Sequence, residues 1–160
     1  MEIKTADLCD RFGDSLQIGE PIFGDFGARL SFSGPAVTLK VFEDNSLVRG
    51  ALEEPGEGRV LVVDGGGSMR CALVGDQLAM LGQRNGWAGI VVFGCIRDSA
   101  DIEEIDLGVK ALGCHPLKSV KRNEGQRDIP VAFAGLRVSP GSMMYADPDG
   151  IVVANEPLPE

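Results

Sequence analysis

Two short, almost wholly apolar runs do most to restrict the fold: residues 59–64 (Arg-Val-Leu-Val-Val-Asp) and residues 87–96 (Trp-Ala-Gly-Ile-Val-Val-Phe-Gly-Cys-Ile). Runs this short, without polar alternation, read as buried strands in the middle of a sheet. Between them, Gly65-Gly66-Gly67 breaks the chain and residues 68–73 read as a short extended piece. The spacing of Leu78 with Leu81, and of Gln77 with Met80, predicts a helix that opens at Gly75 and ends near Asn85-Gly86. Strand, glycine break, helix, strand is a βαβ-like unit.

The rest of the chain is read around that unit. Thr5 is placed to cap a short N-terminal helix whose Leu8, Cys9 and Phe12 share a face. Residues 36–42 read as a strand, and Asn45-Ser46 as the cap of a helix over 47–54, stopped by Pro55-Gly56. A short helix or turn is expected over 101–107 and a brief strand over 109–113. Residues 131–136, 143–146 and 150–154 read as strands, with Asp147-Pro148-Asp149-Gly150 as a turn between the last two. No repeat, linker or low-complexity tract interrupts the 160 residues, of which 44 % are apolar. That is enough for one core, so a single α/β domain over 1–160 is expected, β-rich in its second half.

Charge and composition exclude several functions. The formal net charge of −9 repels phosphate backbones, which disfavours direct nucleic-acid binding but allows docking onto a basic protein segment. The apolar run over 88–96 is too short to span a bilayer. The segment from Met1 to Asp7 is acidic and lacks the apolar core of a signal peptide, so a cytoplasmic protein is expected. Cys9, Cys71, Cys95 and Cys114 have no C-x-x-C spacing and read as free thiols. His115 is the only histidine, which rules out a histidine-rich metal site, and it reads as a turn or surface residue before Pro116.

The residues with the most chemistry stand at the ends of the βαβ-like unit. Gly75-Asp76 opens the helix, and after residues 77–96 the chain reaches Arg97-Asp98. A helix starting at Gly75 points the amides of Gly75, Asp76, Gln77 and Leu78 outward, as an anion site suited to a carboxylate. Arg97, at a strand end, can hold a carboxylate or a developing enolate with two directed hydrogen bonds. Asp98 suits Mg²⁺ or Mn²⁺, which keep several waters. Asp76 can reach metal-bound water or carry a proton. The same residues also fit a plain first-turn acid and a solvated ion pair after a strand. Asp64-Gly-Gly-Gly-Ser68 reads as a tight turn that can line a pocket. The acids Asp98, Asp101, Glu103, Glu104 and Asp106 read as a solvated face. Ser68 and Ser99 lack a placed histidine, and no clear buried Schiff-base lysine emerges among Lys40, Lys110, Lys118 and Lys121.

A resemblance joins these readings. Asp7-Leu-Cys-Asp10, Glu20-Pro21, Phe42-Glu-Asp-Asn-Ser46, residues 60–68 (Val-Leu-Val-Val-Asp-Gly-Gly-Gly-Ser), Gly86-Trp87, Tyr145-Ala-Asp147 and the turn into Ile151 resemble the family of regulator of ribonuclease activity A, the short class II pyruvate aldolases. The resemblance implies a swivelling β/β/α domain, phosphohistidine-domain-like, assembled as a ring-shaped homotrimer. It implies one of two roles. One is metal-dependent cleavage of 4-hydroxy-4-methyl-2-oxoglutarate to two pyruvates, with oxaloacetate decarboxylation as a side activity. The other is binding and restraint of ribonuclease E or an associated helicase. The aldolase group carries Gly-Asp, twenty residues, Arg-Asp. On that pattern Arg97 and Asp76 are catalytic, Gly75, Asp76, Gln77, Leu78 and Arg97 bind a small 2-oxo acid, and Asp98 holds Mg²⁺ or Mn²⁺. Longer aldolases of the family bring an acid to the neighbour's site on a C-terminal extension. This chain stops at Glu160, soon after its last strand, so such an acid is expected to come from elsewhere or to be missing.

Overall fold

The parallel register of three strands sets the architecture of the computed structural model, which describes residues 3–159. Met1 and Glu2 of the expected leaderless start, and Glu160, lie outside the described residues. Helix α1 (Thr5–Phe12) precedes the two-residue strands β1 (Gln17–Ile18) and β2 (Gly24–Asp25). Strand β3 (Phe32–Lys40), helix α2 (Ser46–Leu52), β4 (Val60–Asp64), β5 (Ala72–Val74), α3 (Asp76–Arg84) and β6 (Gly89–Ile96) follow. Then come α4 (Ser99–Ile102), β7 (Gly108–Cys114), β8 (Gln126–Arg127), β9 (Val131–Phe133), β10 (Leu136–Val138), β11 (Met143–Asp147) and β12 (Gly150–Ala154).

The main sheet runs β1-β12-β11-β3-β4-β6-β7-β2, with β5 added to β6 and β8 to β3. β3, β4, β6 and β7 are parallel neighbours, while β11, β12 and β1 are antiparallel. β3 belongs to both parts. Its residues Phe32–Pro35 pair with β11 and Ala36–Lys40 pair with β4. The change of partner falls between Pro35 and Ala36, and Pro35 has no N–H to give a ladder.

Strand alternation sorts the core onto two faces. Leu39, Leu61, Val63, Ile90 and Val92 pack with Val48, Ala51 and Leu52 of α2 and with Leu78 and Ala79 of α3. Ala36, Val60, Val62 and Val91 pack with Val131, Phe133, Leu136, Met144, Ile151 and Val153 on the other side. The result is a helix layer, a parallel sheet and a second β layer. α1 lies beyond the second β layer, with Leu8 and Cys9 against Tyr145, Val152 and Ala154. None of the described helices is long and apolar enough to cross a membrane.

Several local expectations are corrected. Lys4, not Thr5, is the N-cap of α1. The Thr5 amide and hydroxyl instead donate to the Asp147 carboxylate, each at 2.7 Å, tying the helix to the β11–β12 turn. α2 ends at Leu52, before the expected 54, and Asn45 donates to the Leu73 carbonyl at 3.0 Å without capping the helix. The expected strand over 131–136 is a hairpin, β9–β10, turned by Ala134 and Gly135 with φ of 53° and 74°. Lys110 is fully buried, but it is no exception to the reading that no clear buried Schiff-base lysine is present. Its Nζ is held by Asp25 Oδ1 at 2.8 Å and the Asp147 carbonyl at 2.6 Å, an ion pair rather than a free amine.

Asp44 replaces the expected cap and does more. Its Oδ1 accepts the Ser46 amide at 2.9 Å and hydroxyl at 2.6 Å, and its Oδ2 accepts the amides of Arg122 at 2.7 Å and Glu124 at 3.2 Å. Burial alone raises a carboxyl. Here the Ser46 hydroxyl and amide, with the Glu124 and Arg122 amides, outweigh it and hold Asp44 down to about 2, from 3.8. A depressed folded-state carboxyl stabilises the protein above its unfolded value and loses that contribution as pH falls toward the folded value. Asp44→Asn is expected to cost on the order of 2 kcal/mol at neutral pH. It should also flatten the loss of stability between about pH 4 and 2, as read by urea unfolding across that range.

Candidate active site

Parallel pairing brings the two halves of the motif together. Val74 of β5 pairs with Ile96 of β6, and the Arg97 amide donates to the Val74 carbonyl at 2.8 Å. Gly75 and Arg97 therefore leave the sheet side by side, at the C-terminal ends of their strands, where α/β sheets bind ligands. Gly75 is the N-cap of α3 and has no side chain to cap it. Asp98 does so from across the junction: its Oδ2 accepts the Asp76 amide at 3.0 Å.

Two backbone features hold Asp98 there. It is the N-cap of α4 with φ 57° and ψ 42°, a left-handed conformation that is costly for a residue with a Cβ. Its carbonyl accepts the Ile102 amide at 2.9 Å, which anchors that turn. At Gly75, a Cβ would sit 2.8 Å from Asp98 Oδ2 and 3.4 Å from both Cγ and Nε of Arg97. Only glycine lets the carboxylate and the arginine stem close on this point.

The electrostatics follow from the crowding. Burial, then hydrogen bonding and charge from Asp98, raise the Asp76 carboxyl above the usual range, against the pull of the Gln77 amide. Two carboxyls this close favour either a shared proton or a cation. Arg97 is half-buried and Asp98 exposed. Arg97 and Asp98 line an open depression of about 230 Å³ with Ser99, Cys114, His115 and Pro116. Gly75 and Asp76 do not line it. They lie behind Asp98, through the contacts just given.

Some expectations at the site need correction. The amides of residues 75–78 do not form a free anion site, because Asp98 already takes that of Asp76. The Leu78 side chain is buried in the core, so only its amide can face a ligand, and the Gln77 side chain is exposed. His115, read as a plain turn residue, lines the depression. The missed signal was positional: Cys114 closes β7, the parallel neighbour of β6, with Ile96 opposite Cys114.

The other motifs settle into structural roles. The Gly65 and Gly67 amides both donate to the Phe93 carbonyl at 3.1 Å, and a Cβ on Gly65 would meet Leu73 Cδ1 at 2.6 Å. That is the expected tight passage of backbones. Gly66 and Asp64 also line a separate cavity of about 570 Å³ with Lys40, Phe42 and Phe93. Ser68 donates to Glu43 at 2.6 Å, and Glu43 also pairs with Arg70 at 2.7 Å. The four cysteines are free thiols.

The sequence profile of the RraA-like family, described as Aldolase/RraA, matches residues 5–153. The chain belongs to the RraA-like family. An Alkalilimnicola ehrlichii relative, provisionally named 4-hydroxy-4-methyl-2-oxoglutarate aldolase, is 65 % identical over 158 residues, covering 99 % of this chain and 98 % of that protein. Two solved RraA-like folds superpose closely. One is a Geobacillus kaustophilus protein described as S-adenosylmethionine:2-dimethylmenaquinone methyltransferase (53 % identity, TM-score 0.96, covering 98 % of this chain and 97 % of that one). The other is the RNA-processing inhibitor RraA of Thermus thermophilus (45 % identity, TM-score 0.95, 99 % and 96 % covered). The mixed α/β fold of this chain is the RraA fold.

Gly75→Ala tests the junction. The Gly75 backbone, φ −115° and ψ −171°, suits alanine, so the cost comes from displacing Asp98. Loss of one helix cap predicts destabilisation of about 1 kcal/mol by chemical unfolding. A crystal structure of the variant should show the Asp98 carboxylate moved off the Asp76 amide.

Proposed function

We propose that this RraA-like chain is a metal-dependent class II aldolase that cleaves 4-hydroxy-4-methyl-2-oxoglutarate to two pyruvates, with oxaloacetate decarboxylation as a secondary activity. The observation that carries the reading is the junction itself, where Asp98 Oδ2 sits on the Asp76 amide and Arg97 packs against Gly75 beside an open depression. The names of close, full-length relatives support it. The methyltransferase description of the Geobacillus kaustophilus structure has no such support here. An open depression of about 230 Å³ is below the usual 300–1,000 Å³ of sites for drug-sized ligands and suits a small keto acid.

The donor set fits a hydrated dication. No group of three or more His, Cys, Asp or Glu side chains among the described residues is arranged to hold a metal. Mg²⁺ and Mn²⁺ do not need one, because one or two carboxylates and several waters suffice. Asp98 would hold the ion through the oxygen not taken by the Asp76 amide, and Asp76 would orient its waters. Bound there, the ion supplies Lewis-acid stabilisation of negative charge on the 2-oxo acid.

The chain's own groups account for the rest. Arg97 binds the 2-oxo acid end and stabilises the enolate oxygen as the C3–C4 bond breaks and its electron pair moves toward C2. The Leu78 amide, at the open end of α3, adds a donor for the carboxylate. As C4 becomes a keto carbon its hydroxyl proton passes through water to Asp76, whose carboxyl is raised, and Asp76 returns a proton through water to C3 of the pyruvate enolate. Oxaloacetate reacts at the same place, since loss of CO₂ also leaves pyruvate enolate. The subunit is taken to be a swivelling, phosphohistidine-domain-like β/β/α unit of a ring-shaped, cytoplasmic homotrimer. Exposed Ile18, Ile22, Phe42, Leu117 and Val120 offer apolar surface for such an assembly.

A second reading has its own support. The Thermus thermophilus relative is an RNA-processing inhibitor, and a net charge of −9 favours a basic protein partner such as a segment of ribonuclease E or an associated helicase. On this reading the outer surface docks the partner and the depression binds the substrate, so the two roles are compatible.

Coupled detection of pyruvate release, with and without Mg²⁺, tests the enzyme. Asp98→Ala should abolish metal-dependent release from a folded protein. Arg97→Ala should lower turnover by about 10²-fold, the usual loss on removing an oxyanion donor. Full activity in either variant refutes the assignment. No release by the unaltered protein, with salt-sensitive binding to ribonuclease E, leaves the regulator.

A further inference from the structure

The aldolase substrate carries a carboxylate at each end, and the depression offers one cation. Among the described residues, Arg97 is the only cationic side chain lining it. With the 2-oxo end on Arg97, the distal carboxylate needs another donor in a site that already holds two acids. The remaining side-chain donors in the lining are the Ser99 hydroxyl, the Cys114 thiol and the His115 ring. A thiol is a weak donor. Ser99 is exposed on the first turn of the four-residue helix α4.

His115 differs because its hydrogen bonding is already organised. The Leu117 amide donates to His115 Nδ1 at 3.1 Å. A backbone N–H can only donate, so Nδ1 is the acceptor and the neutral ring carries its proton on Nε2. That nitrogen has no hydrogen-bond partner among the described residues. The backbone is fixed as well: the His115 amide donates to the Ile96 carbonyl at 2.9 Å, one residue before Arg97. The two side chains thus spring from adjoining strand ends and border the same opening. We propose that His115 Nε2–H anchors the distal carboxylate and makes the site selective for dicarboxylic over monocarboxylic 2-oxo acids. This deepens the aldolase reading and rests on it.

His115→Asn separates the donor from the turn. An asparagine oxygen can accept the Leu117 amide as Nδ1 does, in the manner of an Asx-turn, while the Nε2 donor is lost. Purified Mg²⁺-loaded protein is assayed for cleavage of 4-hydroxy-4-methyl-2-oxoglutarate. The variant should show KM raised about 10-fold, as for loss of one hydrogen bond to a charged group, with kcat within about 2-fold. Pyruvate has no distal carboxylate, so exchange of its methyl protons with D₂O should keep its rate and half-saturation. His115→Gln, whose amide nitrogen reaches toward the Nε2 position, should recover part of the KM. An unchanged KM overturns the proposal, as does a loss shared equally by pyruvate exchange. If the unaltered protein neither cleaves the substrate nor exchanges pyruvate protons, the aldolase reading itself has failed.

Discussion

One hydrogen bond joins the structural and chemical halves of this molecule: the Asp76 amide to the Asp98 carboxylate. It satisfies a donor at a helix start that its own N-cap, Gly75, cannot serve. It also draws two acids and an arginine to one point at the end of the parallel sheet. The bond requires a bare Cα at residue 75, a left-handed backbone at residue 98 and the β5–β6 register that sets Val74 opposite Ile96. Each of these constrains a different segment. The motif is therefore a packing solution as much as a set of reactive groups.

A second hub stabilises the same end of the sheet without joining the chemistry. Asp44 ties the start of α2 to the segment that carries Arg122 and Glu124, and the Asn45 amide donates to the Ser119 hydroxyl oxygen at 3.1 Å. This segment follows β7 and His115 directly in the chain. Bonds that fix it also limit where the Cys114-His115-Pro116 rim can move, which matters for a site built on strand ends.

Much of this was legible in the sequence, for physical reasons that differ by element. β4 and β6 are short apolar runs that only a two-faced burial explains, and α3 has a helical spacing with a glycine opening. The meeting of Gly75-Asp76 with Arg97-Asp98 follows once the short strand before α3, β5, is the parallel neighbour of β6. The two-residue strands β1, β2 and β8 are too short to show a period. Asp44 was read as part of a motif but not as a hub, because its partners Arg122 and Glu124 are 78 and 80 residues away. Lys110 stood in an otherwise apolar stretch. Only the fold reveals Asp25 and the Asp147 carbonyl waiting for its ammonium.

Charge makes the final connection. A protein with a net charge of −9 repels a dianionic substrate at long range, and the junction gathers two acids around one arginine. Left alone, that balance disfavours the substrate proposed for it. A dication held by Asp98, as proposed, would reverse the local sign and leave Arg97 to meet the keto acid. On this reading the pair of acids exists to make binding of the anion conditional on the metal. The neutral donor on His115 then discriminates the far end of the substrate without adding a charge that would weaken the metal's hold.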